Sequence, residues 1–392
     1  MDYEKILSKR VQELKPSGIR KFFDIAANMK DVISLSIGEP DFKTPWAVRA
    51  AAIETLEKGR TTYTANSGLA ALRVEITRYM ERKFGLSYHP EDETLVTVGG
   101  SEAIDLCIRA FVEPGDEVLV VEPCFVAYAP IIEMMRGVPV PVETVAEESF
   151  RLTAARLREK ITKKTKLLVL PYPNNPTGGV MRKEHLEEIA EVLRGTNIMV
   201  LSDEIYAELT YTGRHVSIAS LPGMRERTIV VNGFSKAFSM TGWRLGFACG
   251  PAPVMKQMIK IHQYAIMCAP TTSQYAAIEA LRRCEENIQS MVEEYDMRRR
   301  FIVDAFNKLG LACFEPEGAF YIFPCICSTG LTSEEFCEQL LYAKHVAVVP
   351  GSAFGSCGEG YIRVSYAYSI KHITEAVRRI AAFLAERKGG NA

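Results

Sequence analysis

Residues 228–246 read TIVVNGFSKAFSMTGWRLG. The apolar run 228–232 is short and stops at Gly233, the pattern of a strand buried on both faces of a parallel sheet. Lys236 follows almost at once, among small residues and ahead of Arg244. That is a poor place for a solvated lysine. Burial lowers an amine's pKa and makes it a usable nucleophile toward an aldehyde. Ser235 and Arg244 are suited to hold a phosphate, Arg244 through the planar fork of donors on its guanidinium. Taken alone, Lys236 reads more simply as a loop lysine paired with a carboxylate, so its surroundings decide.

Working outward, short apolar runs at 94–98, 117–121, 166–170 and 198–201 alternate with helical spacing such as that over 102–112. This alternation predicts an α/β fold with a mostly parallel sheet flanked by helices. The C-terminal part changes character. A long charged helix over 285–309, strands near 320–323 and 361–366 and a final amphipathic helix predict a separate α+β unit. The 392 residues exceed the roughly 250–300 at which a single core stops growing. We therefore expect a large domain over 46–284 and a small domain formed by the N-terminal arm, 1–45, together with 285–392. The arm has no sheet register with the central strands and is expected to pack on the small domain.

Composition removes several functions. Hydrophobic residues make up 47% and charged residues 24% of the chain, enough to bury a core, and the formal net charge of -1 gathers no polyanion. Nucleic acid and membranes are not expected partners, and no apolar run is long enough to span a bilayer. The start of the chain mixes charges with few apolar residues, unlike a signal peptide. The 10 cysteines are scattered, with Cys325 and Cys327 the one close pair, and the six histidines form no metal-binding spacing. We expect reduced thiols, a cytoplasmic location and no metal. No Gly-x-Gly-x-x-Gly or Walker lysine suggests a nucleotide enzyme.

Other candidate residues sit where strands end. Ser202-Asp203-Glu204-Ile205-Tyr206 follows the run 198–201, and an acid there can face the crevice in which open α/β sheets bind ligands. A helix N-cap is the plainer use of Asp203. Pro171-Tyr172-Pro173-Asn174-Asn175-Pro176-Thr177-Gly178 is, on residue types alone, a turn. Gly99-Gly100-Ser101-Glu102-Ala103 lies where a strand becomes a helix, so free N–H groups and the positive helix end face any anion placed there. Such a turn is also a common tight connection, and the acid Glu102 must point its side chain away. Arg363 lies inside an apolar strand, where an unpaired charge is expensive; the alternative is an edge-strand arginine reaching water.

Taken in order, Asn175-Pro176-Thr177-Gly178, Asp203-x-x-Tyr206 and Ser235-Lys236 before Gly242-x-Arg244-x-Gly246 resemble the class I aminotransferases over nearly the whole chain. The resemblance implies fold type I and pyridoxal 5′-phosphate held as a Schiff base on Lys236. It implies that Asp203 pairs with the pyridine nitrogen and keeps the ring an electron sink. Tyr206 and Asn175 would bond the ring oxygen, and Phe125 would stack on the ring, unless Phe125 is a core residue. Gly100, Ser101, Glu102, Ser235 and Arg244 would form the phosphate cup. Arg363 would grip the substrate α-carboxylate, with Asn175 and the backbone of Gly38 beside it. Tyr63 would reach the phosphate of a neighbouring subunit, which requires a homodimer with shared sites.

The implied reaction moves an amino group from an L-amino acid to a 2-oxo acid, with 2-oxoglutarate the expected acceptor and Lys236, Asp203 and Tyr206 the catalytic residues. Two cues favour a neutral, alanine-like or aromatic donor over aspartate. Ile19, in Ser17-Gly18-Ile19, matches the segment covering the substrate side chain in relatives, and residues 264–269 are uncharged where some dicarboxylate-specific relatives carry an arginine. A carbon-sulfur lyase of the same fold shares the lysine, aspartate and asparagine. A non-enzymatic regulator that binds the cofactor would need an added basic DNA-binding module, and the first strand motifs begin too early to leave room for one.

Overall fold

The computed structural model describes residues 1–14, 16, 18, 25 and 29–389. The first strand, β1 (Ile33–Ser34), precedes the main sheet. That sheet comprises β2 (Thr94–Thr97), β3 (Glu117–Glu122), β4 (Val138–Glu143), β5 (Thr165–Leu170), β6 (Met199–Asp203), β7 (Thr228–Gly233) and β8 (Gly246–Cys249). Its order is β2-β8-β7-β6-β5-β3-β4. Strands β3 to β7 pair in parallel, and only β8 runs antiparallel to both its neighbours. This is the α/β architecture expected. Along β3, Val118 and Val120 enter one apolar cluster while Leu119 and Val121 enter another. The two-residue period therefore buries both faces, and helices such as Gly99–Phe111 and Lys183–Leu193 cover them.

Two strands of this sheet were not legible. β4 carries Pro139 and Pro141, which argue against a strand, yet it lies at the sheet's edge, where the missing N–H groups are not needed by a second neighbour. β8 is four residues long and follows the Lys236 loop directly.

The C-terminal part contributes β9 (Tyr321–Ile322), β10 (Val346–Ala347), β11 (Val349–Pro350) and β12 (Ile362–Ser365), with helices Glu285–Lys308 and Ile370–Gly389. β12 lies between β11 and β9, antiparallel to both, and β1 pairs in parallel with β10. Met29, Val32, Ile33 and Phe42 pack against the apolar cluster of these elements. The helix Lys9–Glu13 behaves differently from these residues. It buries no residue, and Arg10 Nη1 donates to the carbonyl of Glu133, 2.7 Å away, in the last turn of the helix Tyr128–Met134. With no apolar face to bury, it is held by a cation at a helix C-terminus. Among the described residues, no helix is long and apolar enough to cross a membrane.

The topology gathers strand ends. Because β8 is antiparallel to both β2 and β7, β2 points the same way as β5, β6 and β7. The segments after these four strands, carrying Gly100, Asn175, Asp203 and Lys236, thus emerge at one sheet edge.

Candidate active site

At that edge lies a cavity of ≈ 450 Å³ whose lining includes Lys236, Asp203, Asn175, Tyr206, Phe125, Ser235, Arg244, Gly100, Ser101, Gly38 and Arg363. Lys236 Nζ donates to the carbonyl of Gly38 at 2.6 Å and lies over the Tyr206 ring at 5.6 Å. Among the described residues no carboxylate takes the ammonium, contrary to the loop-lysine alternative. Burial lowers its pKa from 10.5 to about 8; Glu39 opposes the shift, and Arg363 and Arg244 reinforce it. A free amine is therefore accessible close to neutral pH.

Asp203 ends β6 and is buried. Its Oδ2 accepts from the Tyr128 hydroxyl at 2.6 Å and its Oδ1 from the Ile205 N–H at 3.2 Å. The second contact is the local turn bond that a capping aspartate makes, but residues 205–208 form a turn and not a helix. Burial raises the Asp203 pKa, and the bonds from Tyr128 and Ile205 only partly offset this. Tyr128 itself is pushed well up, first by burial and then by Asp203, so it stays a donor. The Tyr206 hydroxyl meets that of Tyr321 at 2.9 Å. Phe125 is half-buried, packs edge-on against Tyr128 with centroids 5.9 Å apart, and also lines the cavity. It is thus partly a core residue and partly a wall.

On the opposite side, the helix Gly99–Phe111 starts at the cavity. Gly99 has φ +76°, and a Cβ there would lie 2.8 Å from Arg244 Nη2. Only glycine suits both conditions, and its absent side chain lets the guanidinium lie against the first turn, whose N–H groups have no intrahelical partner. Arg244, at φ +51°, donates from Nη1 to the Thr241 carbonyl at 3.0 Å. With Ser101 and Ser235, this corner is built for an anion.

Arg363 is only 3% exposed. Its strand is central in its sheet, which removes the edge-strand alternative. Nη1 donates to Asn175 Oδ1 at 2.9 Å, Nη2 to the Ser36 carbonyl at 2.6 Å, and Nε is buried without a partner among the described residues. The guanidinium is sandwiched by Tyr321 at 4.5 Å and Phe354 at 4.9 Å. Burial lowers its pKa, the sign of a cation that gains from an anionic ligand. Of the two adjacent asparagines, Asn174 is consumed by its own loop, bonding Pro123, Pro171 and Thr177, which frees Asn175 for the cavity. Gly38 is sterically required: a Cβ would sit 2.1 Å from the Tyr321 hydroxyl.

Two residues named from sequence do not line the cavity, and a third lies outside the described residues. Glu102 turns its side chain away: Oε1 meets His262 Nδ1 at 2.7 Å and Oε2 accepts from the Val98 N–H at 2.5 Å. The reason is electrostatic, since a carboxylate facing the corner would oppose the anion that Arg244 favours. Tyr63 is 80% exposed and points out of this chain's cavity. Ile19 is the third. The sequence reading missed Tyr128 and Tyr321. Neither sits at a strand's C-terminal end, where ligand residues are sought, and each acts through a partner 75 or 115 positions away.

The family model for aminotransferase class I and II matches residues 30–380. The chain is 55% identical over 378 residues to a putative aminotransferase, YugH, of Bacillus subtilis, covering 96% of this chain and 98% of that protein. It is 47% identical to an aspartate aminotransferase of Pyrococcus abyssi, covering 97% and 99%. Among solved structures, the aromatic aminotransferase of Pyrococcus horikoshii superposes with a TM-score of 0.90 at 45% identity, covering 94% of this chain and 99% of the other.

Proposed function

Because the chain belongs to the class I and II aminotransferases, whose members use pyridoxal 5′-phosphate, we propose that this cavity holds that cofactor and transfers an amino group from an L-amino acid to a 2-oxo acid. The observation that carries the reading is the meeting of a buried amine, a buried carboxylate and two guanidinium groups around one cavity. The residues fit the cofactor part by part. Asp203, whose burial makes an unpaired charge costly, suits a protonated pyridine nitrogen. Arg244, Ser101, Ser235 and the start of the helix Gly99–Phe111 suit a phosphate, Phe125 the ring face, and Tyr206 with Asn175 the ring oxygen. Arg363 keeps donors for an α-carboxylate, since two of its five N–H groups are engaged within the chain and the buried Nε–H has no partner among the described residues.

When bound, pyridoxal phosphate supplies an aldehyde for the amino group and a ring that draws electrons from the donor's Cα. The chain does the rest. Lys236 Nζ, with its lowered pKa, takes the Cα proton as a general base. Asp203 keeps the pyridine nitrogen protonated, and Tyr128, donating to Oδ2, favours the ionised form of Asp203 and orients it. Arg363 and Asn175 orient the donor by its carboxylate. Tyr63, exposed here, reaches the phosphate of a second copy in a homodimer.

The donor side chain is neutral in this reading. Among the described residues, the cations lining the cavity are Lys236, Arg244 and Arg363, and all three are engaged by the roles above; the charged group left over is Glu39. An anionic side chain finds repulsion there. The acceptor is a 2-oxo acid, with 2-oxoglutarate the first to test. Single-turnover reactions with alanine, phenylalanine, leucine, aspartate and cystathionine, scored by the 2-oxo acid formed, should run fastest with a neutral donor. Aspartate outpacing every neutral donor would reject this donor choice, and release of pyruvate and ammonia from cystathionine would assign a lyase instead.

A further inference from the structure

His262, in the helix Ala252–Ala265, is fully buried, and among the described residues its ring has one polar partner. Nδ1 lies 2.7 Å from Glu102 Oε1, while the buried Nε2 meets none of them. A carboxylate only accepts, so the Nδ1–H donates. The other carboxylate oxygen accepts the N–H of Val98, the residue just before the helix Gly99–Phe111. Glu102 therefore loops back from the first turn and satisfies the amide outside it. The N–H groups of the first turn stay free for a ligand.

The same histidine anchors a second segment. Its carbonyl accepts from the Ile266 N–H at 2.9 Å and the Met267 N–H at 3.1 Å. The Met267 carbonyl accepts from Asn66 Nδ2 at 2.9 Å, and Thr271 Oγ1 donates to the Thr62 carbonyl at 2.7 Å. The stretch carrying Tyr63 thus hangs from the end of the helix that His262 fixes.

We propose that His262 and Glu102 are a positioning pair for phosphate recognition. Neither touches the ligand; together they hold the amides of Gly100 and Ser101 in register with Arg244 and tie the Tyr63 segment to the same frame. The proposal rests on reading the cavity as the pyridoxal phosphate site. A role in general stability would affect the cofactor with and without its phosphate alike, whereas positioning of the anion corner affects only the phosphorylated form.

The test measures dissociation constants of the full-length apoprotein for pyridoxal 5′-phosphate and for pyridoxal. In H262L, affinity for the phosphorylated form should fall about tenfold, the scale of one lost hydrogen bond to a charged group, and affinity for pyridoxal by less than about twofold. H262N, which returns an N–H donor near the Nδ1 position, should recover most of the loss. If H262L does not fold, E102Q replaces it and should show the same selective loss. Equal losses for both ligands, or no loss for either, would overturn the pairing role. A wild-type protein that does not prefer the phosphorylated form would instead overturn the cofactor reading, and the pairing role with it.

Discussion

Lys236→Ala is expected to bind pyridoxal phosphate yet lose turnover by more than the roughly 10² to 10⁴-fold that a positioned general acid-base contributes. The excess follows because the same side chain also provides the covalent link. Nζ is held by the Gly38 carbonyl between the Tyr206 and Phe320 rings, and the nearest alternatives are poor bases. A guanidinium is a donor with no acceptor site, which excludes Arg244 and Arg363, and burial pushes the hydroxyls of Tyr206 and Tyr321 above their usual pKa. Cofactor retention is expected because Asp203, Arg244 and Phe125 stay in place. Steady-state rates together with a cofactor titration would check this. A variant turning over at near-normal rates would remove Lys236 from the chemistry.

Asp203→Asn should slow the reaction by roughly 10² to 10³-fold, the scale for losing one preorganised electrostatic group in a site shielded from water. An amide oxygen can still accept from Ile205, and the amide nitrogen can face Tyr128 with the hydroxyl reversed, so the fold should survive. What is lost is the negative charge that keeps the pyridine nitrogen protonated. The loss should therefore fall mainly on kcat. Stopped-flow rates set beside a thermal melt separate the two uses of the residue: unchanged chemistry with a lowered melting temperature would return Asp203 to a turn-stabilising role.

How much of this was legible in the sequence depended on where each residue sits. Strand runs and their turn punctuation locate strand ends, and Asp203, Asn175, Lys236 and Gly100 all lie just beyond or at such ends, so each was legible there, while their meeting at one edge follows from the strand order and directions. Arg363 was legible for another reason, the cost of a charge inside an apolar strand. Tyr128 and Tyr321 were not, because nothing local distinguishes them from core tyrosines; their hydroxyls acquire meaning only when β6 brings Asp203 within 2.6 Å of Tyr128 and β9 brings Tyr321 within 2.9 Å of Tyr206. His262 was hidden likewise, 160 positions from Glu102. Pro139 and Pro141 hide β4, a strand that the rule against proline still permits because it lies at a sheet edge.

The central claim is that Lys236 is the residue that holds the cofactor. It is tested most directly by reducing the protein with borohydride after loading it with pyridoxal phosphate, then mapping the labelled peptide by mass spectrometry. The reading predicts one label, on Lys236, with the loss of the coloured form on reduction. A label on a different lysine, or a protein that takes up no pyridoxal phosphate, would contradict it.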